Sequence, residues 1–262
     1  MSRTPLIAGN WKMHKTVAEA EEFIAGLLPR LYAADNVDVA LCVPFTALQA
    51  MVDSTRGSRV QVFAQNMHQD ASGAHTGEVS APMLTELDVH GVVLGHSERR
   101  ADNNETDRAL ALKVPAAMEA GLTPILCVGE SEDERLSGDT ERKLRHQVQE
   151  GLEKVPAERL QEVVVAYEPI WAIGTGQVAT PEQAQEACAF VRALVAARSA
   201  EAALSQEQSL SASDQPVPHA SRVRTLAHLL VAESAQALQD QALRNEHLHL
   251  AEQAARSPGM AT

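Results

Sequence analysis

Glu168 is the residue whose type and surroundings point most directly to chemistry. It lies in the run AYEPIWAIGTG, residues 166–176, and directly follows an apolar run at 163–166 that predicts a buried strand. A proline and two glycines come after it, a composition typical of a loop that moves and brings backbone close to a ligand. A carboxylate at a strand exit beside such a loop suits a general base that works under a closing lid, although a solvated Glu before an ordinary loop explains the segment too.

Two further polar motifs follow predicted strands. Asn10 and Lys12 come after the first strand, where they could orient an oxygen and hold an anion, or could be a turn Asn and a surface Lys. His96 comes after the fourth strand, which makes it a candidate acid or electrophile, or a structural histidine. His96 with Glu98 also suggests a metal site, but no third ligand accompanies them, so the sequence predicts no metal.

The sequence also indicates the fold that positions these side chains. Short apolar runs alternate with longer helical patterns along the chain. This alternation predicts an α/β fold with a parallel sheet and crossover helices. Continuous apolar strands indicate burial on both faces, which a doubly wound sheet and a closed barrel both satisfy. The predicted strands are 6–8, 37–43, 60–63, 89–94, 123–128 and 163–166, and the predicted helices are 17–30, 45–54, 105–120, 131–154 and 179–198. Pro115 is expected to kink or split the helix in which it lies.

The bulk composition narrows the function classes. The 262 residues suit one α/β barrel of roughly 250 residues. A formal charge of −13 and a pI near 5.2 argue against a nucleic-acid surface. The sequence contains no run of about 18 apolar residues, so it predicts no membrane span.

The cysteines indicate the compartment. Three cysteines without a Cys-x-x-Cys pair fit neither a disulfide framework nor a zinc site, which indicates a reducing compartment. Cys127 ends the fifth predicted strand and is either a nucleophile or, as we favour, a small packing residue.

The last quarter of the chain has a different composition. Residues 199–221 are rich in Ser, Gln and Ala and predict a linker-like segment. Residues 222–262 predict a mostly helical C-terminal segment with a short strand-like start at 222–226. No Gly-Gly pair occurs after residue 198.

Taken together, the motifs of residues 4–198 resemble those of the triosephosphate isomerase family, in the same order and at the same spacing. The matching motifs are 9–12, 65–66, 73–80, 95–100, 121–130 and 166–176. The resemblance implies a (β/α)8 TIM barrel whose first six units are residues 1–198 and whose last two units are divergent or missing. It also implies an enzyme that interconverts dihydroxyacetone phosphate and glyceraldehyde 3-phosphate without a cofactor, in glycolysis and gluconeogenesis in the cytoplasm.

The resemblance also implies a role for each site residue. Glu168 corresponds to the base that moves the proton between two carbons, and His96 to the neutral electrophile that polarises the carbonyl. Lys12 supplies positive charge, Asn10 orients the substrate oxygen, and the amide of Gly174 binds the phosphate under the lid 169–178.

The resemblance extends to the assembly. The loop from Gly73 to Ser80 resembles the loop that reaches into the partner of a homodimer. Thr76 would then touch the partner's active site, and Glu78 would pair with Arg99 across the interface.

Several positions depart from the family pattern. His75 replaces an aromatic residue, Gln177 and Val178 replace Lys-Thr, and the chain beyond Leu226 lacks the Tyr-Gly-Gly-Ser and Gly-Gly motifs that bind phosphate. A frameshift or fusion after Leu226 would explain the loss.

Two other functions therefore stay open beside the active isomerase. One is a catalytically impaired or inactive isomerase-like protein. The other is an enzyme for a different phosphosugar, against which the His-Ser-Glu and Tyr-Glu-Pro-Ile-Trp motifs argue.

Overall fold

The computed structural model describes residues 4–32, 34 and 36–211, with the backbone alone for 203–211. The chain divides into two compact units. Of the described residues, the first unit comprises those within 4–128, 150–155 and 161–166, and the second comprises those within 129–149, 156–160 and 167–211. Within the described part, no helix is both long enough and apolar enough to cross a membrane.

The sheet of the first unit has six strands in the order β1-β2-β3-β4-β5-β6, and the pairs from β1 to β5 are parallel. A doubly wound sheet reverses its strand order at a switch point, whereas a barrel keeps the order of the chain. The observed order therefore selects the barrel over the doubly wound alternative, and the described residues supply six of its eight strands. The strands are β1 Leu6–Asn10, β2 Asp38–Val43, β3 Val60–Ala64, β4 Gly91–Leu94, β5 Thr123–Val128 and β6 Val164–Tyr167.

Helices follow the strands, and several of them begin at side-chain caps. Thr16 and Glu19 form a reciprocal capping box at the start of α1, and Thr106 caps α5. Pro115 does not split α5, which continues through it to Glu119. The helices of the first unit are α1 Val17–Leu31, α2 Leu48–Thr55, α3 Ala81–Glu86, α4 Ser97–Asp102 and α5 Asp107–Glu119. They are followed by α6 Glu132–Leu136, α7 Thr140–Leu152 and α8 Pro181–Ser211.

Alternate residues of the strands form the core enclosed by the sheet. Its buried members are Ala40, Cys42, Phe63, Val93, Ile125 and Cys127, and Leu6, Val164 and Ala166 pack against them. The prediction of strands buried on both faces is confirmed for the middle of the sheet but is wrong for β1, where Ile7 is 60% exposed. The reason is that β1 lies at one end of the described sheet and has a single strand neighbour.

The second unit corrects one predicted boundary. Helix α8 runs from Pro181 to Ser211, so the helix end predicted at 198 is too early. The residues between are rich in Ala, Glu and Gln, which favour helix. The rest of the linker-like segment, 212–221, the predicted helical segment 222–262, and the predicted divergence of the last two units lie outside the described residues.

Candidate active site

The turn after β1 holds Lys12 in a backbone conformation that non-glycine residues seldom adopt, with φ of +52°. Such a conformation costs about 1–3 kcal/mol and persists where the surroundings enforce it, often at functional sites. Here the side chain of Asn10 enforces it, because Asn10 Oδ1 accepts a hydrogen bond from the backbone N–H of Lys12 at 3.0 Å. Asn10 and Lys12 are thereby fixed as one unit at the end of the strand.

The side-chain amide of Gln65 ties this turn to the neighbouring strands. Its Nε2 donates to Asn10 Oδ1 at 3.1 Å, to the Lys12 carbonyl at 2.9 Å and to the Cys42 carbonyl at 3.1 Å. The backbone N–H of Trp11 also donates to the Cys42 carbonyl, at 3.0 Å. These bonds hold the turn after β1 against the end of β2.

The position of His96 is set by Gly95, which has φ of +73°. A Cβ atom on Gly95 would lie 2.6 Å from Leu110 Cδ1, so a side chain has no room there. Both backbone groups of Gly95 are bound by side chains. Its N–H donates to Glu105 Oε2 at 3.0 Å, and its carbonyl accepts from Arg100 Nε at 2.7 Å. The residue before His96 is therefore held firmly.

The ring of His96 has a defined tautomer. His96 is the N-cap of α4, and its Nδ1 accepts a hydrogen bond from the backbone N–H of Glu98 at 3.2 Å. A neutral imidazole that accepts at Nδ1 carries its proton on Nε2. In its neutral form, the buried His96 ring can thus donate a hydrogen bond from Nε2.

Asn10, Lys12 and His96 line one cleft of about 440 Å³ in the first unit. Glu98 and Arg99 also line it, and Lys12 Nζ pairs with Glu98 Oε1 at 2.6 Å. This ion pair is half-exposed, so it contributes little to stability but orients the ammonium group. A cleft that contains the Lys12 ammonium group and an imidazole N–H donor can bind an oxyanion beside a carbonyl oxygen.

Glu168 and Gly174 belong to the second unit. The backbone of Glu168 lies directly against Gly129, because a Cβ atom on Gly129 would lie 1.9 Å from the Glu168 carbonyl oxygen. The N–H of Gly129 in turn donates to the buried Gln147 Oε1 at 2.8 Å. A glycine is therefore required at 129 to let the Glu168 backbone approach.

A buried carboxylate organises the residues on both sides of Glu168. Glu130 is fully buried, and its Oε1 accepts from Tyr167 Oη at 2.9 Å, Trp171 Nε1 at 3.0 Å and Arg135 Nη1 at 3.0 Å. The Arg135 guanidinium also lies over the Trp171 ring, 4.6 Å from its centroid. Burial and then the negative charge of Glu130 raise the pKa of Tyr167 to about 12, so its hydroxyl stays a donor.

The segment predicted as a lid has the backbone of a glycine hinge. Gly174 and Gly176 have φ of +72° and +82°, values that other residues rarely adopt. Thr175 Oγ1 donates to the Trp171 carbonyl at 3.0 Å and accepts from the Gln177 N–H at 3.2 Å. Residues 174–178 are exposed, and Gln177 Nε2 donates to Glu132 Oε1 at 3.1 Å.

The sequence analysis assigned no role to several residues that position the site. Gln65, Arg100 and Glu130 lie inside motifs that were recognised, whereas Glu105 lies outside them. Arg100 and Glu105 both act through bonds to Gly95. Glu98, weighed only as a metal ligand, pairs with Lys12 instead. The partners of Gln65 and Glu98 lie far away in the chain, so no local pattern could reveal them.

Comparison with known proteins agrees with this geometry. A profile of the triosephosphate isomerase family matches residues 5–208. A triosephosphate isomerase of Synechocystis is 52% identical over 191 residues, 72% of this chain and 78% of the relative. That of Acetivibrio thermocellus is 52% identical over 192 residues, 73% of this chain and 76% of the relative. That of Carboxydothermus hydrogenoformans is 50% identical over 193 residues, 74% of this chain and 77% of the relative. The chain therefore belongs to the triosephosphate isomerase family, a family of isomerases with the TIM-barrel fold.

Proposed function

We propose that this chain interconverts dihydroxyacetone phosphate and glyceraldehyde 3-phosphate by proton transfer through an enediolate. The observation that carries the proposal is the cleft shared by Lys12 and His96, in which His96 Nδ1 accepts the Glu98 N–H and leaves Nε2 as the donor. In the proposed reaction Glu168 removes a proton from one carbon and returns it to the next. His96 donates to the carbonyl oxygen, Lys12 stabilises the negative charge that develops, and Asn10 orients the oxygen.

The phosphate of the substrate would be bound by the Gly174 amide when the lid closes. The positive φ of Gly174 and the exposed hinge around it support this role. Closure would also exclude water, which strengthens the interactions of Lys12 and His96 and protects the enediolate from losing phosphate. The reaction as proposed needs neither a metal ion nor a cofactor.

The test is a coupled assay of glyceraldehyde 3-phosphate conversion by the full chain and its Lys12→Met variant. Loss of a charged hydrogen-bond donor costs about 1.5–3 kcal/mol, or roughly 10- to 150-fold in kcat/KM. Lys154→Met, which removes an exposed lysine, is the matched control and should leave kcat/KM unchanged. Equal activity of the Lys12→Met variant and the control would overturn the assignment.

We also propose a homodimer formed through the loop from Gly73 to Ser80. Residues 70–78 form an uninterrupted exposed stretch, and Met13 and Met83, at 94% and 53% exposed, leave apolar surface to be covered. Within the described residues, the buried Arg99 Nε makes no hydrogen bond and lies 3.6 Å from Glu105 Oε2, so a partner's carboxylate would give it a closer acceptor. Sedimentation velocity of the full chain and of Thr76→Arg tests this, and a variant as dimeric as the parent would contradict it.

A cytoplasmic location and a role in glycolysis and gluconeogenesis complete the proposal. None of the three cysteines forms a disulfide, as expected in a reducing compartment. The two triose phosphates of the proposed reaction are intermediates of both pathways. Fractionation of the producing cells would check the location.

An impaired isomerase is the second candidate, because one observation favours it. The family match ends at residue 208, and the sequence beyond 198 contains no Gly-Gly pair for the phosphate. Losing roughly three charged hydrogen bonds would cost about 4–9 kcal/mol, on the order of 10³ to 10⁶ in kcat/KM. The encoding DNA discriminates, since a Tyr-Gly-Gly-Ser or Gly-Gly motif in another frame after Leu226 would indicate a frameshift.

A further inference from the structure

Two histidines and an aspartate come together on the loop that follows β3. His68 stands at the base of this loop, where its N–H donates to the Val79 carbonyl at 2.8 Å and a parallel bridge joins it to Ser80. Asp70 and His75 lie on the exposed part of the loop. None of these three residues belongs to the cleft that contains Lys12 and His96.

The ligand atoms of the three side chains lie close together. Asp70 Oδ2 lies 3.0 Å from His75 Nε2 and 3.9 Å from His68 Nδ1, and all three atoms lie within 4.8 Å of one another. A tetrahedral site with metal–ligand distances of about 2.0–2.1 Å separates its ligand atoms by about 3.3 Å. Shifts of about an ångström or less in the two histidine side chains would therefore bring all three atoms to metal distance.

The loop is built to hold the His75 ring in this place. The rings of His68 and His75 stack with centroids 3.9 Å apart. Gly73 has φ of +152°, and a Cβ atom on it would lie 3.0 Å from the His75 imidazole. The carbonyl of His75 accepts from the Glu78 N–H at 3.0 Å, which closes the turn. The ring is thus folded back over the base of the loop.

We propose that His68, Asp70 and His75 bind one divalent transition-metal ion, of which Zn²⁺ has the best-matched ligand preference. Two imidazoles and one carboxylate suit Zn²⁺, Co²⁺ or Ni²⁺, whereas Mg²⁺ and Ca²⁺ prefer oxygen ligands alone. The fourth position is left to water. Binding displaces the Asp70 N–H, which donates to His68 Nδ1 at 3.1 Å. The sequence analysis predicted no metal, because His68 and Asp70 form no recognised motif.

Such an ion would cross-link the base of the loop to its exposed part. His68 and His75 lie on opposite sides of Gly73, so joining them restricts the loop that we propose as the dimer contact. The metal site itself stands independently of that dimer and of the isomerase reaction, because it uses no residue assigned to catalysis.

The test is a titration of the full chain, without an affinity tag and stripped with a chelator, with Co²⁺ as a coloured probe and Zn²⁺ as a competitor. The parent should bind one equivalent of Co²⁺ with the visible bands of a four-coordinate site, and Zn²⁺ should displace it. The variants His75→Gln and Asp70→Asn should each weaken binding by about tenfold or more. His14→Gln, which removes an exposed histidine outside the cluster, should bind like the parent.

A thermal measurement separates binding from a folding defect. Zn²⁺ should raise the unfolding midpoint of the parent and of His14→Gln, but not that of His75→Gln. Each midpoint is compared with that of the same protein without the ion, and a cooperative transition of His75→Gln shows that the variant is folded. Co²⁺ affinity that is the same in His75→Gln, Asp70→Asn and the parent would overturn the proposal. Absence of a Co²⁺ band in the parent would do so too, and would leave the Asp70–His75 contact as a loop anchor only.

Discussion

Replacing Glu105 by Gln should destabilise the protein strongly. Glu105 and Lys113 form an ion pair in which the side chains are only 2% and 8% exposed. Glu105 also accepts from the Gly95 N–H, and Lys113 Nζ donates to Asn66 Oδ1 at 2.9 Å. Glu105→Gln preserves the size of the side chain but leaves the Lys113 ammonium buried with only a neutral acceptor.

The size of the expected loss of stability follows from the burial of the Glu105–Lys113 ion pair. Removing one partner of a buried ion pair costs about 3–5 kcal/mol, because the other charge stays desolvated. For a domain of about 150–250 residues, each kcal/mol lowers the unfolding midpoint by about 2–4 °C. Glu105→Gln should therefore lower the midpoint by roughly 6–20 °C.

The assay is thermal unfolding followed by circular dichroism, with Glu119→Gln as the control because Glu119 is exposed on the same helix as Lys113. The double variant Glu105→Gln/Lys113→Met removes the stranded charge and should recover part of the lost stability. A midpoint for Glu105→Gln within about 1 °C of the Glu119→Gln control would refute the reasoning.

Three further perturbations follow from close contacts and burial. Gly129→Ala would place a Cβ atom 1.9 Å from the Glu168 carbonyl oxygen and should therefore displace Glu168. This displacement should lower kcat/KM by about 10²-fold in the coupled assay. An unchanged kcat/KM would contradict the proposed role of Glu168. Burial raises the pKa of Cys42 to about 12, so iodoacetamide should label Cys42 only after unfolding. Since the folded thiol stays neutral, its contribution to stability is present below about pH 9 and is lost as the pH rises towards about 12. Labelling of native Cys42 at pH 8 would oppose this. Gly91→Ala would put a Cβ atom 2.2 Å from Phe63 Cε1 and should lower the free energy of unfolding, measured in urea, by about 1–3 kcal/mol. A free energy of unfolding equal to that of the parent would contradict this clash.

The strands were predictable because burial leaves a local signature. All six lie within two residues of the apolar runs that predicted them, since a strand covered on its faces is apolar throughout. The short helices α3 and α4 were missed, because six residues are too few to show a helical period. The choice between a barrel and a doubly wound sheet depended on strand order, which no single segment encodes.

The reactive residues of the site were predictable from the sequence, but the residues that position them were not. Lys12 and His96 stand out as polar residues at strand exits, but the bonds from Gln65 and Glu105 that hold their turns join residues distant in the chain. The proposed metal ligands on the loop after β3 were not predicted for the same reason, because His68 and His75 come into contact only when the loop folds back.

The measurement that tests the central claim most directly is conversion of glyceraldehyde 3-phosphate in D₂O by the full chain and by Glu168→Gln, followed by proton NMR. Proton transfer through an enediolate predicts conversion by the parent with deuterium entering the product, because a carboxylate base exchanges its proton with solvent. Glu168→Gln, prepared identically, should stay at the background rate. Equal rates in the two proteins would contradict the account, as would complete conversion by the parent with no deuterium in the product.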